Sequence, residues 1–178
     1  MSSAAKYVDQ IQAQLGEEWM GHIYRERILK MRTRAYEFAL LRKGATPEIH
    51  HTLLGIELKV GRRRILCPDL PTARYLAVFA RLGSPAVAIP YDITKISLVA
   101  DELERSWHRL LLLADSMTSD RTSAFRTRLR KLLVAKVRAE IAAAGPGPRI
   151  PEFKQTTRLR EPPPKGTKCA KEFQNRER

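Results

Sequence analysis

The segment LGIELKVGRRRILC, residues 54–67, carries the clearest strand pattern in the chain. Its apolar side chains alternate with glycine, glutamate and lysine up to Val60, which is the two-residue repeat of a strand with one buried face. Gly61-Arg62 fits the centre of a type II′ turn, because glycine adopts a positive φ without steric conflict. The chain then returns as a second strand to Cys67. The segment therefore predicts a β-hairpin whose tip is Arg62-Arg63-Arg64.

Helical patterns surround this hairpin. Apolar residues recur every three or four positions over five stretches, which predict helices at 3–15, 17–42, 72–82, 92–117 and 119–144. A short apolar run at 86–89 follows a Gly-Ser-Pro turn and predicts one more strand. We therefore expect a mainly helical α+β fold, in which about five helices pack a small three-stranded sheet made of the hairpin plus one strand.

The composition changes at Gly145. A chain of 178 residues is long enough for one ordinary domain and an appendage. We assign a single domain to 1–144 and a tail to 145–178, where prolines, lysines and arginines replace the apolar patterns. Such a segment buries too little apolar surface to offset its chain entropy. The tail is expected to be disordered.

The two cysteines and the lack of a long apolar run indicate in which cellular compartment the protein is expected. Cys67 and Cys169 are far apart in sequence, which argues against a disulfide framework and favours a reducing environment. The first residues lack the basic-then-apolar pattern of a secretory signal, and no apolar run reaches the roughly 18 residues of a membrane span. We expect a cytoplasmic protein without a membrane partner.

The charge is strongly positive, with 33 Lys and Arg against 19 Asp and Glu and a net charge of +14. Such an excess favours a polyanionic partner. On the predicted helix 17–42, Arg25 and Arg32 are seven residues apart and would lie on one basic ridge. The stretch 119–144 has seven basic residues against two acidic ones. Like charges at helical spacing repel one another, so this density favours a binding role.

The predicted function is non-catalytic binding of nucleic acid, DNA or RNA, through phosphate contacts and without a cofactor. The predicted binding residues are basic and lie on the second helix, the hairpin tip, the last helix and the tail. They are Arg25, Arg32, Arg62, Arg63, Arg64, Arg121, Arg126, Arg128, Arg130, Lys131, Lys136, Arg138, Arg158, Arg160, Lys165 and Lys168. An alternative is an interaction subunit that docks through its tail into a larger nucleoprotein complex.

A catalytic alternative depends on Glu57-Leu58-Lys59, because residues two apart on a strand share a face. A carboxylate beside an amine could hold Mg²⁺ and position a water for phosphodiester cleavage. The segment resembles the Glu-x-Lys strand of the PD-(D/E)xK nucleases, with Pro47-Glu48 standing for their acidic first half. The resemblance covers about residues 17–90 and implies a Mg²⁺-dependent nuclease that uses Glu48, Glu57 and Lys59. It departs from the family where glutamate replaces the usual aspartate and lies in a predicted loop.

Other candidate groups point to structural roles. His50 and His51 are adjacent, and neighbours on an extended chain face opposite sides, which is poor geometry for one metal ion. Cys67 is predicted to be a small core residue. Aromatic residues make up 7% of the chain and fall mostly at predicted core positions, so they do not indicate a platform for stacking bases.

Overall fold

The computed structural model describes residues 4–38 and 46–147, and this part forms the expected mainly helical α+β fold. Residues 145–147 of the predicted tail are described, and the Gly145 carbonyl accepts a hydrogen bond from Tyr24, so the prediction of disorder from 145 onward is wrong for them. The rest of the tail, with Arg158, Arg160, Lys165 and Lys168, lies outside the described residues. None of the helices in the two described ranges is long and apolar enough to span a bilayer. The helices are α1 (Ala4–Leu15), α2 (Met20–Ile23), α3 (Leu70–Leu82), α4 (Ile93–Met117) and α5 (Ser123–Ala144). The strands are β1 (Thr33–Glu37), β2 (Pro47–Thr52), β3 (Gly55–Val60), β4 (Arg63–Cys67) and β5 (Ala86–Pro90).

The predicted hairpin is confirmed as β3 and β4, joined at Gly61 with φ 61°. Its sheet has three antiparallel strands in the order β2-β3-β4. The third strand is β2 rather than the predicted strand at 86–89, which pairs elsewhere. The sequence places Pro47-Glu48 in a loop, but proline is tolerated at the first position of a strand. From there, buried Pro47 and half-buried Ile49 alternate with exposed Glu48 and His50.

The prediction of one helix over 17–42 is wrong. A short turn at Gly16–Glu18 precedes α2, which continues as a wider π-helical turn over Tyr24–Ile28, and β1 follows. β1 pairs antiparallel with β5 to form a separate two-stranded sheet. Residues 33–37 form a strand rather than a helix because β5 is buried and its backbone polar groups need hydrogen-bond partners. A neighbouring strand supplies these partners, and a helix cannot. Arg25 and Arg32 therefore lie on different elements, and the predicted basic ridge does not form.

Side-chain caps begin the long helices. Asp69 precedes α3 and accepts the Thr72 N–H at 2.7 Å, so this helix begins two residues before its predicted start. Asp92 accepts the Thr94 N–H at 2.9 Å and begins α4 as expected. Such capping satisfies amide groups that have no partner within the helix. At the far end of α3, Gly83 has φ 69°, a left-handed conformation that favours glycine.

The last helix begins later than predicted. Thr122 caps α5 by accepting the Phe125 N–H at 3.3 Å, so Arg121 lies before the helix and not on it. The buried side chains of α5 follow one another at a spacing of four, and α5 packs against α1, α2, α3 and α4. These buried side chains are Leu129, Leu133, Val137 and Ile141.

The core lies between the three-stranded sheet and the helices. Leu58 and Cys67 project from the inner face of the sheet, against which α3 packs, and both are buried. Burial raises the pKa of the Cys67 thiol, so this side chain remains protonated near neutral pH. Its predicted role as a small core residue is confirmed.

Two buried tyrosines bind the edge of β5 that β1 does not cover. The Tyr75 hydroxyl donates to the Ala88 carbonyl at 2.5 Å, and the Ala88 N–H donates to the Tyr24 hydroxyl at 3.0 Å. The Tyr24 hydroxyl in turn donates to the Gly145 carbonyl at 2.7 Å. These bonds satisfy buried polar groups and connect α2, α3, β5 and the end of α5.

Candidate nucleic-acid interface

Several predicted binding residues form ion pairs with carboxylates of the protein itself. The Arg130 Nη2 atom donates to both carboxylate oxygens of Asp115 on α4, at 2.6 and 2.7 Å. Lys136 binds Asp9 of α1 at 2.8 Å. These ion pairs neutralise their cations locally, so the excess charge that could attract a partner lies elsewhere.

Two further predicted residues also have neighbours that account for them. Arg121 donates to the Tyr7 hydroxyl at 3.3 Å and lies over the Phe125 ring. Arg64, at the base of the hairpin tip, is 3.5 Å from the Glu57 carboxylate on the adjacent strand. Arg121 therefore contributes to packing of the α5 N-terminus, while Arg64 belongs to a cross-strand pair.

The remaining predicted residues of the described part carry no salt bridge. They are Arg25, Arg32, Arg62, Arg63, Arg126, Arg128, Lys131 and Arg138. Arg62 and Arg63 are exposed at the hairpin tip, as expected. The Arg126 Nε is buried without a hydrogen-bond partner among the described residues. The positive charge left after ion pairing is therefore distributed over the hairpin tip, the segment that leads into β1 and more than one side of α5.

An open groove runs between the C-terminal end of α3 and α5, and its volume is about 610 Å³. Its α5 wall consists of residues spaced by three and four positions, which places them on one helix face. The lining residues are Arg81, Leu82, Gly83, Thr127, Arg130, Lys131, Val134, Ala135 and Arg138. This lining has four cations and no carboxylate.

Three of these four cations, Arg81, Lys131 and Arg138, have no salt bridge within 4–38 and 46–147. The Arg138 guanidinium approaches Gly83 closely, with Nη1 3.5 Å from the place where a Cβ would stand. Leu82, Val134 and Ala135 supply the apolar part of the lining. A cationic groove with a partly apolar lining fits an anion that has a less polar portion, such as a sugar-phosphate chain.

Arg81 was missed by the sequence interpretation. It lies on α3, about 50 residues before the other groove cations, and only tertiary packing brings it to them. A single arginine in the last turn of an amphipathic helix has an ordinary local explanation, because it interacts favourably with the helix dipole. The sequence therefore contains no signal that assigns Arg81 to a site.

The candidate nuclease residues lie on the exposed face of the three-stranded sheet. Glu48 is on β2, not in a loop as predicted, and lies opposite Lys59. The Lys59 ammonium donates to Glu48 at 2.9 Å, and the hydrogen bonds from Lys59 and His50 lower the pKa of the Glu48 carboxyl. Glu57 faces Arg64 instead. Each carboxylate thus has its own cation, and no group of three potential metal ligands occurs among the described residues.

Comparison with known proteins yields no relative: no family model, curated protein or solved structure matches the chain.

Proposed function

We propose that this protein binds nucleic acid without catalysing a reaction, and that phosphates bind in the groove between α3 and α5. The observation that carries the proposal is the groove lining, which contains no carboxylate and in which Arg81, Lys131 and Arg138 form no salt bridge to a described residue. Guanidinium groups form planar two-pronged contacts with phosphates, which suits Arg81 and Arg138 to this role. The DNA or RNA backbone is the partner of this chemistry.

The spacing of the cations along α5 determines which phosphates they can contact. Lys131 and Arg138 are two helical turns apart, or about 10 Å, and so can contact different phosphates of one strand. If each of the three cations without a salt bridge contacts one phosphate, counterions are released from the nucleic acid. The affinity for a duplex is then expected to fall about 40-fold from about 50 to 200 mM salt. Contacts from Arg62 and Arg63 would make the dependence steeper.

Two substitutions on α5 form a matched test. Lys131→Gln removes a groove cation, whereas Lys136→Gln removes the same charge from the same helix at a position where it is paired with Asp9. We expect Lys131→Gln to weaken binding and to reduce the slope of log K against log salt by about 1. Lys136→Gln should change neither quantity appreciably.

The measurement is fluorescence anisotropy of labelled duplex DNA, single-stranded DNA and an RNA hairpin, each titrated at several salt concentrations. Absence of binding at low salt, or binding that hardly responds to salt, would refute the proposed function. Equal losses for Lys131→Gln and Lys136→Gln would refute the groove as the site and leave only a general effect of charge.

A further inference from the structure

Tyr91 is the one exposed aromatic residue within 4–38 and 46–147; 49% of its surface is accessible to solvent. The other aromatic rings of these ranges are buried or half-buried, as the sequence interpretation expected. Tyr91 follows Pro90 at the end of β5, and its N–H donates to the Arg32 carbonyl at 3.2 Å. The ring is thus held at the end of a paired strand.

Two guanidinium groups lie near this ring. The Cζ atoms of Arg32 and Arg34 lie 5.2 and 5.9 Å from the centre of the Tyr91 ring, within the range of cation–π attraction. Neither arginine makes a salt bridge to another described residue. The adjacent carboxylate of Asp92 accepts a hydrogen bond at the start of α4. The cluster formed by Arg32, Arg34 and Tyr91 therefore combines an accessible π-surface with two cations.

The groove and the cluster lie on elements that contact each other, because α5 runs beside β5. Arg138 approaches Gly83 just before β5, and Gly147 approaches Ala88 within it. The place for a Cβ on Gly147 is also 3.0 Å from the Thr33 hydroxyl, next to Arg32 in sequence. The segment from Arg138 to Gly147 therefore leads from the groove to the buried side of β1, whereas Arg32 and Arg34 are exposed on its other side.

We propose that the cluster of Arg32, Arg34 and Tyr91 stacks an unpaired base, so that the preferred ligand is single-stranded nucleic acid. The inference rests on the proposed phosphate binding and specifies its ligand class. Every base has a π-face, and an aromatic side chain with neighbouring arginines binds it without reading its sequence. In a duplex the base faces are covered by their neighbours, so only an unpaired or flipped base reaches Tyr91.

The test compares two labelled oligonucleotides of about 12 positions with equal numbers of phosphates, one of deoxythymidine and one of abasic sugar. The wild-type protein should bind the thymidine strand more tightly. Tyr91→Ala should weaken thymidine binding about 5- to 100-fold and leave abasic binding within about twofold, while Tyr91→Phe should retain both. Lys131→Gln, which removes only a phosphate contact, should weaken both strands alike.

The outcomes separate the two proposals. Equal wild-type affinity for the two strands overturns base stacking by a measurement that needs no variant. Base stacking is also overturned if Tyr91→Ala weakens binding of both strands equally or of neither. Those results leave the proposed phosphate binding intact. If the wild-type protein binds neither strand nor a duplex at low salt, the proposed function fails together with the inference.

Discussion

At the scale of single residues, neighbours decide what each side chain can do. Gly21 and Glu140 show this clearly. The Glu140 carboxylate accepts the Trp19 indole N–H at 2.7 Å and the Gln12 amide at 3.2 Å. It does so directly over Gly21, where a methyl group would overlap one of its oxygens. Glycine is needed here for close approach and not for its backbone angles.

Gly21→Ala is expected to lower the free energy of unfolding by about 1–3 kcal/mol, because the added methyl group must displace the Glu140 carboxylate and its hydrogen bonds. Urea denaturation would measure this. The control is a double-mutant cycle with Glu140→Ala, which removes the obstructing group. If the loss caused by Gly21→Ala is unchanged when Glu140 is alanine, overlap with the carboxylate is not its cause.

Basic residues also differ in role according to their neighbours. Lys131 and Lys136 are on one helix and are chemically identical, yet only Lys136 has a carboxylate, Asp9, at 2.8 Å. Sequence alone predicts the same function for both. The position of Asp9 depends on how α1 packs against α5, which is a long-range contact.

At the scale of elements, local signals place the long helices well and the strands less well. Asp69, Asp92 and Gly83 are capping residues whose type matches their position, and they define the limits of α3 and the start of α4. The stretch that forms β1 has no such signal. Met31, Ala35 and Phe38 fit a helical stripe, while Thr33 and Tyr36 favour a strand. Pairing with β5, about 50 residues away, decides between them.

Loss of the α3 cap tests the importance of such local signals. Asp69→Ala should destabilise the protein by about 0.5–2 kcal/mol, since the Thr72 N–H loses its acceptor at 2.7 Å. Asp69→Asn keeps an acceptor oxygen and should retain most of the stability. Thermal and urea denaturation of the three proteins provide the comparison. Equal stability of the alanine and asparagine variants would contradict a capping role.

At the scale of the whole molecule, hydrogen bonds between buried tyrosines and the backbone hold distant elements together. Tyr24 and Tyr75 bracket Ala88, and Tyr24 also reaches the carbonyl of Gly145. Burial raises the pKa of both hydroxyls, well above the usual value for Tyr75. In alkali the folded protein thus retains protons that the unfolded chain releases.

This difference predicts alkaline sensitivity. The contribution of the two protonated tyrosines to the free energy of unfolding is fully present below the unfolded tyrosine pKa of about 10. It is lost as pH rises above that value, by up to about 1.4 kcal/mol per pH unit for each tyrosine. Tyr75→Phe should therefore show a shallower decline of unfolding free energy than the wild-type protein between about pH 10 and 11.5. Parallel declines would contradict the prediction. Because the slope is compared, the constant loss of one hydrogen bond does not affect the result.

Sequence patterns were sufficient to predict the α+β class, the Arg-tipped hairpin, Gly83 at the end of α3, Asp92 at the start of α4 and most of the buried face of α5. These features depend on residue type and on spacing within one element, where period, turn chemistry and capping act over a few positions. Tertiary structure alone decided that β1 is a strand, that β2 joins the hairpin, and that Arg81 lies beside Lys131 and Arg138. It also placed Tyr91 beside Arg32 and Arg34. Each of these depends on contacts between residues distant in sequence, which no local pattern encodes.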